Sequence, residues 1–376
     1  MKNKAMNFKS TPTHSPDIWL LLTIVGLVFL GFMMVGSASS VLAERFRGDV
    51  YFFLKHQVLF GGVAGVVLFC LGYFVPYRSW RLFALPALIA SLVLLVLVFV
   101  PGISLQYGGA SRWIDIGPIT FQPTELTKLA FIVYLAALLE RKGEEIRDFR
   151  KSVLPFAVIT SILTVLVALQ PDFGTLFTIT AIAGAMVFVA GFRLRHLALL
   201  MAGAFAVFLA LITSARHGIS RLITYLHPEL DPQGIGYQVN QALLAVGTGG
   251  IWGLGLGRSR QKYQFLPEPA GDSIFAIMAE ELGLVRSVLL LLAFVWIGWR
   301  GYTIARLSPD MFGRLVAAGI TSWIVIQAFV NIGAILAIMP LTGIPLPFIS
   351  YGGSSLAILL FASGILLNVS KYTVVE

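Results

Sequence analysis

The stretch MPLTGIPLPFISYGGSS, from Met339 to Ser355, decides how the fold is interpreted. It carries no charge, three prolines and three glycines, and an apolar helix-like run lies on each side of it. Its prolines and glycines argue against a regular helix, and its apolar character argues against an ordinary surface loop. In an apolar setting, non-helical backbone is tolerated only where it is buried in protein or lines a wet cavity. The stretch therefore predicts an irregular connection buried among membrane helices.

The rest of the chain has the composition of a membrane protein. Of its 376 residues, 57% are apolar and 12% are charged, and the mean hydropathy is +0.87. A soluble domain carries about 25% charged residues, and the long Leu, Val and Ala runs lack the alternation of barrel strands. We therefore predict an all-α, polytopic membrane protein that forms one integral-membrane domain over residues 1–376. Ten crossing helices are predicted, at about 18–41, 51–74, 81–100, 124–140, 153–169, 175–191, 196–213, 273–298, 313–338 and 353–370.

The positions of Lys and Arg predict the orientation of these helices. Most basic residues fall in loops that face the cytoplasm if the N-terminus is inside, and the short outer loops hold only Arg45, Arg47 and Arg112. Both termini are then cytoplasmic, with 1–17 an inner tail and 214–272 a large outer loop. The net charge of +9 lies mostly beside the inner leaflet, which argues against nucleic acid as a partner.

The outer loop departs from this bias. It carries five basic residues on the outer side: Arg216, Arg221, Arg258, Arg260 and Lys262. Either this charge is tolerated in a long loop, or it holds an anionic ligand. Within the loop, the glycine-rich run from Gly247 to Arg260 completes neither a P-loop nor a dinucleotide fingerprint. Its glycines favour close packing of a loop on helices, and the following RSRQKYQF combines phosphate-binding arginines with rings suited to the headgroup level.

Polar residues near the predicted helix ends have both structural and functional interpretations. Pro123 suits the first turn of a helix, where Glu125 is favoured by the helix dipole and Lys128 follows on the same face. The two charges either form a local ion pair or line a polar cavity. Asp172 and Thr175 are expected to cap the next helix.

The predicted ninth and eighth helices also contain polar residues within their apolar runs. Gln327 and Asn331 stand four apart on one helix face, which predicts interhelical hydrogen bonds. Arg286, inside the eighth helix, has no explanation from its surroundings in sequence.

Asp272 lies in the segment LPEPAGDSIFAIMAEELG, Leu266 to Gly283, just before the eighth helix. Its position suits an N-cap, which would need no chemistry. A carboxylate at a membrane boundary beneath a basic loop could also act as a general base. The residues alone favour the N-cap over the base.

Several motifs together resemble the SEDS family (shape, elongation, division and sporulation). They are GASRWIDIG with FQPTELTKLA, QPDFGT, GYQVNQALLAVGTGG, LPEPAGDSIFAIMAEELG and PLTGIPLPFISYGGSS, and the likeness covers nearly all of the chain from the first helix on. The resemblance implies a ten-helix membrane glycosyltransferase that polymerises lipid II into peptidoglycan and releases undecaprenyl pyrophosphate. MVGSASS and GIWGLGLGRSRQKYQFLPE resemble the septal branch, FtsW, more than the elongation branch, RodA. The opening stretch would then form the outer mouth of the last two helices.

The resemblance also assigns site residues. It implies that Asp272 is the catalytic base, although Pro-Ala-Gly precedes it where Ala-His-Thr is usual in the family. The residues expected to bind substrate are Arg112, Glu125, Lys128, Arg258, Arg260, Lys262 and Glu268. Among the cations, Arg112 is favoured for the pyrophosphate because it lies in a family motif. A divalent cation, Mg²⁺ or Mn²⁺, held by Asp272 and phosphate oxygens, would serve the same end.

The expected partners are a class B penicillin-binding protein transpeptidase and other divisome proteins, at the bacterial cytoplasmic membrane and its division septum. A lipid II flippase, a RodA-like elongation polymerase and a scaffold without catalysis are the alternatives. The chain shows no convincing inverted repeat, which weighs modestly against a transporter.

Overall fold

The computed structural model describes residues 14–107, 110–117, 119–143, 154–214, 223–227 and 234–374, and structural statements concern these residues. Arg216, Arg221 and residues 1–13 of the predicted inner tail lie outside them. The helices are α1 (Ile18–Arg47), α2 (Phe52–Phe74), α3 (Trp80–Leu97), α4 (Pro123–Lys142), α5 (Leu154–Ala168), α6 (Phe173–Val189), α7 (Leu194–Ser214), α8 (Ile235–Gly249), α9 (Ile274–Leu307), α10 (Met311–Ile335) and α11 (Gly353–Ser370).

Every predicted crossing segment coincides with one of these helices, α8 being the additional one. Within the described residues, six helices are long and apolar enough to cross a membrane, namely α1, α2, α3 with the short turn before it, α9, α10 and α11. Three more, α5 to α7, contain shorter apolar stretches. α4 carries both Glu125 and Lys128, which makes it more polar than the others. The number of crossings and their orientation remain predictions.

The all-α class needs a correction, because three strands precede α4. They are β1 (Ser104–Tyr107), β2 (Ala110–Ile116) and β3 (Ile119–Phe121), and they form an antiparallel sheet in the order β1-β2-β3. Gly117 begins the turn between β2 and β3 with φ of 72°, and its N–H donates to Asp115 Oδ1 at 3.0 Å. β1 and β3 have too few residues for a clear alternating pattern, and the seven residues of β2, ASRWIDI, do not alternate strictly.

α8 lies in the region predicted to be a large outer loop, and the position of that region outside the membrane stays a prediction. Its sequence, IGYQVNQALLAVGTG, is flanked by Gly234 and Gly250 and is too short to have been counted as a crossing. It packs on the first half of α9.

The centre of the molecule is formed by α10 and α11, which are mostly buried, whereas α1, α2 and α3 carry many exposed apolar side chains. α2 and α11 approach closely through glycines. A Cβ on Gly72 would lie 2.7 Å from Phe361 O, and one on Gly364 would lie 2.3 Å from Phe69 O. Small residues allow this close contact where lipid supplies no hydrophobic driving force between helices.

Charged residues at the predicted inner end are paired. Asp310 accepts from Tyr77 Oη at 2.6 Å and Arg78 Nε at 3.0 Å, and its carboxylate caps α10 through Gly313 N–H at 2.8 Å. Burial alone would raise the pKa of Asp310, but these hydrogen bonds outweigh it and hold that pKa below its ordinary value. The inner end is therefore fixed by local partners.

Candidate active site

Asp272 lies in a tight turn at the start of α9. The carbonyl of Glu268 accepts from the N–H groups of Gly271 and Ser273, at 3.0 and 3.3 Å. Glu268 itself is exposed and has φ of 49°, a conformation that L-residues rarely adopt. The cap of α9 is Ser273, which makes no side-chain capping bond. The N-cap interpretation of Asp272 therefore loses its structural basis.

The connection between α10 and α11 holds this turn in place. Ser350 Oγ donates to Gly271 O at 2.7 Å, and Tyr351 N–H donates to Ala270 O at 2.8 Å. The carboxyl group of Asp272 lies near Gly343, since a Cβ built there would be 3.8 Å from Asp272 Oδ2. The uncharged proline- and glycine-rich stretch therefore holds the turn of the candidate base in place through these hydrogen bonds.

Gln327 and Asn331 of α10 satisfy the irregular backbone of this connection. Gln327 Nε2 donates to Pro345 O at 2.9 Å, and Asn331 Nδ2 donates to Ile344 O and to Asp272 O, both at 2.8 Å. The predicted interhelical hydrogen bond is present for Gln327, whose Oε1 accepts from Lys128 of α4 at 2.7 Å, whereas Asn331 bonds to carbonyls of the connecting segments instead. Because the Asn331 amide has two carbonyl acceptors, its NH₂ end is fixed and its Oδ1 must be an acceptor.

A third amide supports the same connection from α2. Gln57 begins a π-helical turn, Gln57–Val63, and is buried. Its Nε2 donates to Ser350 O at 3.3 Å, and its Oε1 accepts from Gly352 N–H at 3.0 Å. Sequence analysis missed both Gln57 and Ser350. The available signal was a lone amide in an apolar helix, which needs a partner when buried.

Glu125 and Lys128 form the predicted ion pair of α4, with Nζ 2.8 Å from Oε1 and both side chains almost wholly buried. Lys128 also donates to Gln327 Oε1 at 2.7 Å and lies 4.8 Å from the centre of the Trp323 ring. Glu125 Oε2 is buried and has no hydrogen-bond partner among the described residues, and the same is true of Asn331 Oδ1. The pair is connected to Asp272 through Gln327, the carbonyls of the connection and Asn331.

Arg112, on β2, contacts the loop before α6. Its Nε donates to Gln170 O at 3.1 Å, and its Nη2 donates to Pro171 O. The predicted cap is also present, because Asp172 accepts from Thr175 N–H at 3.1 Å and from Thr175 Oγ1 at 2.8 Å. Arg112 Nη1 makes no hydrogen bond to the described part of the chain, so part of its guanidinium can still contact a ligand.

The basic cluster at 258–262 divides into two parts. Lys262 is buried and lies 3.4 Å from Glu281 Oε1, with a second bond to Gly257 O at 2.8 Å. These buried contacts mean that Lys262 stabilises the loop, a role that its sequence context did not indicate. Arg258 and Arg260 are exposed. The cluster therefore does not present three cations to one ligand.

Glu280 and Glu281, which the sequence analysis did not assign to the site, hold the loop from inside. Glu281 accepts from Ser37 Oγ at 2.7 Å and from Ser259 N–H at 3.2 Å. Glu280 accepts from Arg260 N–H at 3.0 Å and from Ser259 Oγ. Paired carboxylates in an apolar segment were the signal for such a role, because buried charges need several partners.

The glycine-rich run packs closely on α9, as predicted. α9 is interrupted at Gly283, where φ is 80° and ψ is 178°. A Cβ on Gly253 would lie 2.3 Å from Glu281 O. Arg286 now has an explanation, since its Nη1 donates to Trp252 O at 2.8 Å and to Leu282 O at 3.0 Å, beside this interruption.

The described residues contain no group of three or more His, Cys, Asp and Glu side chains that could hold a metal ion. Any cation at Asp272 would take most of its ligands from substrate phosphate, as Mg²⁺ commonly does. A cavity of about 270 Å³ lies at the other end of α9, beside Arg300 and Asp17, and none of the predicted site residues line it.

Comparison with known proteins gives one consistent result. Residues 18–374 match the FtsW/RodA/SpoVE family model, described as "Cell cycle protein". The chain is 43% identical over 364 residues to stage V sporulation protein E of Bacillus subtilis, covering 97% of this chain and 99% of the relative. It is 40% identical over 368 residues to the "Probable peptidoglycan glycosyltransferase FtsW" of Geobacter metallireducens, covering 98% and 97%.

Solved structures agree with this result. One, described as "Structural coordination of polymerization and crosslinking by a peptidoglycan synthase complex", contains a chain with a TM-score of 0.76 and 30% identity, covering 94% of this chain and 97% of that one. The rod shape determining protein RodA of Thermus thermophilus gives a TM-score of 0.70 and 31% identity, covering 96% and 98%.

Proposed function

The chain belongs to the FtsW/RodA/SpoVE family of cell cycle proteins, the SEDS family that its motifs indicated, and on that premise we propose that it is a peptidoglycan glycosyltransferase. It is a membrane protein that polymerises lipid II at the outer face of the cytoplasmic membrane. Full-length similarity to a named peptidoglycan glycosyltransferase supports the activity. The observation that best supports the assignment of the site is the turn at Asp272, whose backbone is held by Ser350 and Asn331.

In the proposed reaction, Asp272 accepts the proton of the acceptor sugar's 4-hydroxyl as that oxygen attacks the anomeric carbon of the donor. A new glycosidic C–O bond forms, the bond from the anomeric carbon to the phosphate oxygen breaks, and undecaprenyl pyrophosphate leaves. A single displacement inverts the anomeric configuration. A base held through its backbone at Gly271 and Asp272 can keep one position while the substrate moves past it.

Charge on the leaving pyrophosphate needs donors or cations nearby. Arg112 supplies them through the Nη1 group that its carbonyl contacts leave available. Glu125 and Lys128 border the same region through Gln327 and Asn331, and the unpartnered oxygens Glu125 Oε2 and Asn331 Oδ1 suit the hydroxyl and amide donors of a sugar. Glu268 shapes the turn below Asp272. A Mg²⁺ or Mn²⁺ ion, if bound, would be held by Asp272 and would supply further positive charge for the leaving pyrophosphate.

The relatives leave the branch of the family open, since proteins named for sporulation and for FtsW are both about 40% identical to this chain. We favour the septal role, with a class B penicillin-binding protein transpeptidase and other divisome proteins as partners. The structural similarity to a peptidoglycan synthase complex supports pairing with a crosslinking enzyme.

The test is polymerisation of labelled lipid II by the protein reconstituted with its transpeptidase. Asp272→Asn keeps the size of the side chain and removes the base, so we expect polymer formation to fall by about 10²- to 10⁴-fold. Asp49→Asn is the matched control, because Asp49 lies in the exposed turn before α2 and pairs with Lys55.

Wild-type polymer yield from Asp272→Asn would remove Asp272 from the mechanism. Movement of lipid II across the bilayer without any polymer, from the wild-type protein, would instead support the flippase. An equal loss in Asp49→Asn would show that the assay reports folding rather than catalysis.

A further inference from the structure

α9 changes character at Gly283. From Ile274 to Glu281 every side chain is buried, but after Gly283 large side chains are exposed at helical spacing. The exposed residues are Leu284, Val285, Val288, Leu289, Leu292, Val295, Trp296 and Trp299. At 1.5 Å per residue this apolar stripe is about 22 Å long, most of the roughly 30 Å hydrocarbon core of a bilayer. Gly283 therefore marks the end of the lipid-facing part of α9.

The loop from Ile251 to Phe265, called here the 251–265 loop, begins beside that end of the stripe. Leu284 N–H donates to Gly250 O at 2.9 Å, and Val285 N–H donates to Ile251 O at 3.3 Å. The loop exposes six large apolar or aromatic side chains: Ile251, Trp252, Leu254, Leu256, Tyr263 and Phe265. They continue the lipid-facing surface of α9 beyond its interruption.

This exposure does not come from a loosely held loop. Inside it, Lys262 bonds to Gly257 O and pairs with Glu281, and Glu280 binds the N–H of Arg260. Gly253 lies so close to Glu281 O that a Cβ could not be accommodated. A braced loop that displays Trp252, 71% exposed, presents an apolar patch of the kind that marks an interaction surface.

The charges around this patch select its partner. Arg258 and Arg260 are exposed and make no ion pair within the described part of the chain, and Arg286 is exposed beside Trp252. Of the acidic residues nearby, Glu280 and Glu281 are turned inward, whereas Glu268, past the end of the loop, is exposed. Apolar and aromatic side chains bordered by arginines match the boundary between hydrocarbon and phosphate headgroups.

We propose that the 251–265 loop is a membrane anchor that docks on anionic phospholipid. Ile251, Trp252 and Leu256 enter the hydrocarbon of the leaflet at the Asp272 end of α9, which the predicted orientation places outside. Arg258 and Arg260 bind headgroup phosphates. In this proposal their ligand is bulk lipid, not the substrate that the sequence analysis had assigned to them. The anchor is independent of the proposed glycosyl transfer and of Asp272.

The depth of the loop is tested with spin labels in nanodiscs that contain phospholipid and no lipid II. In a Cys70→Ser background, Leu256→Cys and Asp49→Cys are labelled, and their accessibility to oxygen and to a water-soluble nickel complex is compared. Asp49 is the aqueous reference because it lies in the exposed turn between α1 and α2, outside both candidate spans. We expect the label at 256 to be accessible to oxygen and protected from nickel. Equal nickel accessibility at both sites overturns the anchor, and so does protection that appears only when the partner transpeptidase is added.

The headgroup preference is tested by measuring retention of phosphatidylglycerol over phosphatidylcholine in purified protein. We expect Arg258→Gln and Arg260→Gln to lower that preference about fivefold each, the effect of one basic residue near an anionic surface. Lys55→Gln is the control, because Lys55 is already neutralised by Asp49 at 2.8 Å. Unchanged preference in the arginine variants, or an equal fall in the control, overturns the assignment.

Discussion

Two buried lysine–carboxylate pairs in this protein have different surroundings. Lys262–Glu281 braces the 251–265 loop, and Lys128–Glu125 lies between α4 and α10; in both pairs the side chains are at most 4% exposed. Both Glu281 oxygens accept hydrogen bonds, from Ser37, Ser259 and Lys262. In the other pair, Glu125 Oε2 has no partner among the described residues.

The difference distinguishes an ion pair that only stabilises the structure from one that can also bind a ligand. A buried acceptor without a donor costs about 1–3 kcal/mol, and a second such acceptor, Asn331 Oδ1, is on α10 next to the Asp272 turn. A fully bonded pair has no capacity left for a ligand. An incompletely bonded pair can accept hydrogen bonds from one, so we expect variants of the two pairs to affect different properties.

The largest expected effect on stability comes from Lys262→Met. It leaves the Glu281 charge buried without its cation, and breaking such a pair costs about 3–5 kcal/mol. The free energy of unfolding in detergent measures this loss. The double variant with Glu281→Leu should lose less, because no isolated charge remains. An unchanged unfolding midpoint in Lys262→Met would show that the pair does not brace the loop.

Glu280→Gln should cost somewhat less, about 2–3 kcal/mol. Both oxygens of Glu280 accept, one from Arg260 N–H and the other from Ser259 Oγ and Gln261 N–H. In Glu280→Gln, the NH₂ group of the new side-chain amide must therefore face a hydrogen-bond donor in either orientation of the amide. Polymerisation per folded molecule should stay near that of the wild-type protein. A selective loss of catalysis in a stable variant would contradict the assignment of Glu280 to structure.

Glu125→Gln is the matched substitution in the incompletely bonded pair. Lys128 keeps Gln327 and the Trp323 ring, but its buried charge loses the carboxylate, so we expect a loss of stability of about 3 kcal/mol, the lower end for a broken buried pair. Lipid II polymerisation should fall at least about tenfold, since charge-assisted acceptors form stronger bonds to a ligand than neutral ones. A loss of stability as large as in Lys262→Met, with activity per folded molecule retained, would show that both pairs only stabilise the structure.

The smallest effect is expected at an exposed pair, Lys55–Asp49. Hydrogen bonds from Lys55 and then from Tyr51 N–H lower the pKa of Asp49. A lowered pKa in the folded state stabilises the fold above the ordinary carboxyl range, and this contribution disappears as the pH falls through the lowered pKa. Because the pair is exposed and screened, Lys55→Gln should leave the melting temperature unchanged at about 0.15 M salt. A clear drop at neutral pH that vanished in acid would show a larger role.

Sequence reasoning predicted features that depend on neighbours along the chain. It located the helices through their apolar runs, the cap at Asp172 through local capping chemistry, and the Glu125–Lys128 pair through spacing on one helix face. It also predicted interhelical hydrogen bonds for Gln327 and Asn331, which Gln327 makes with Lys128. The role of Asp272 came from family resemblance, because its position alone suits a cap equally well.

Features that depend on distant parts of the chain were not predicted. Nothing near Lys262 in sequence indicates that Glu281 will enclose it, and nothing near Ser350 points to the carbonyl of Gly271. The sheet before α4 was missed because β1 and β3 have only four and three residues and the sequence of β2, ASRWIDI, does not alternate strictly. Arg286 is explained only by the path of the backbone at Trp252.

The π-helical turn of α2, Gln57–Val63, has a consequence for insertions and deletions in this protein. A π turn accommodates one residue more than an α turn, so excising Val58 would let α2 close into an uninterrupted helix. Phe52–His56 would keep its orientation relative to the rest of α2, because the wide turn already absorbs the extra residue. A deletion in the regular part of α2, such as that of Val66, would instead rotate the helix on one side of it by about 100°. Loss of one codon should therefore be tolerated better at Val58 than further along α2.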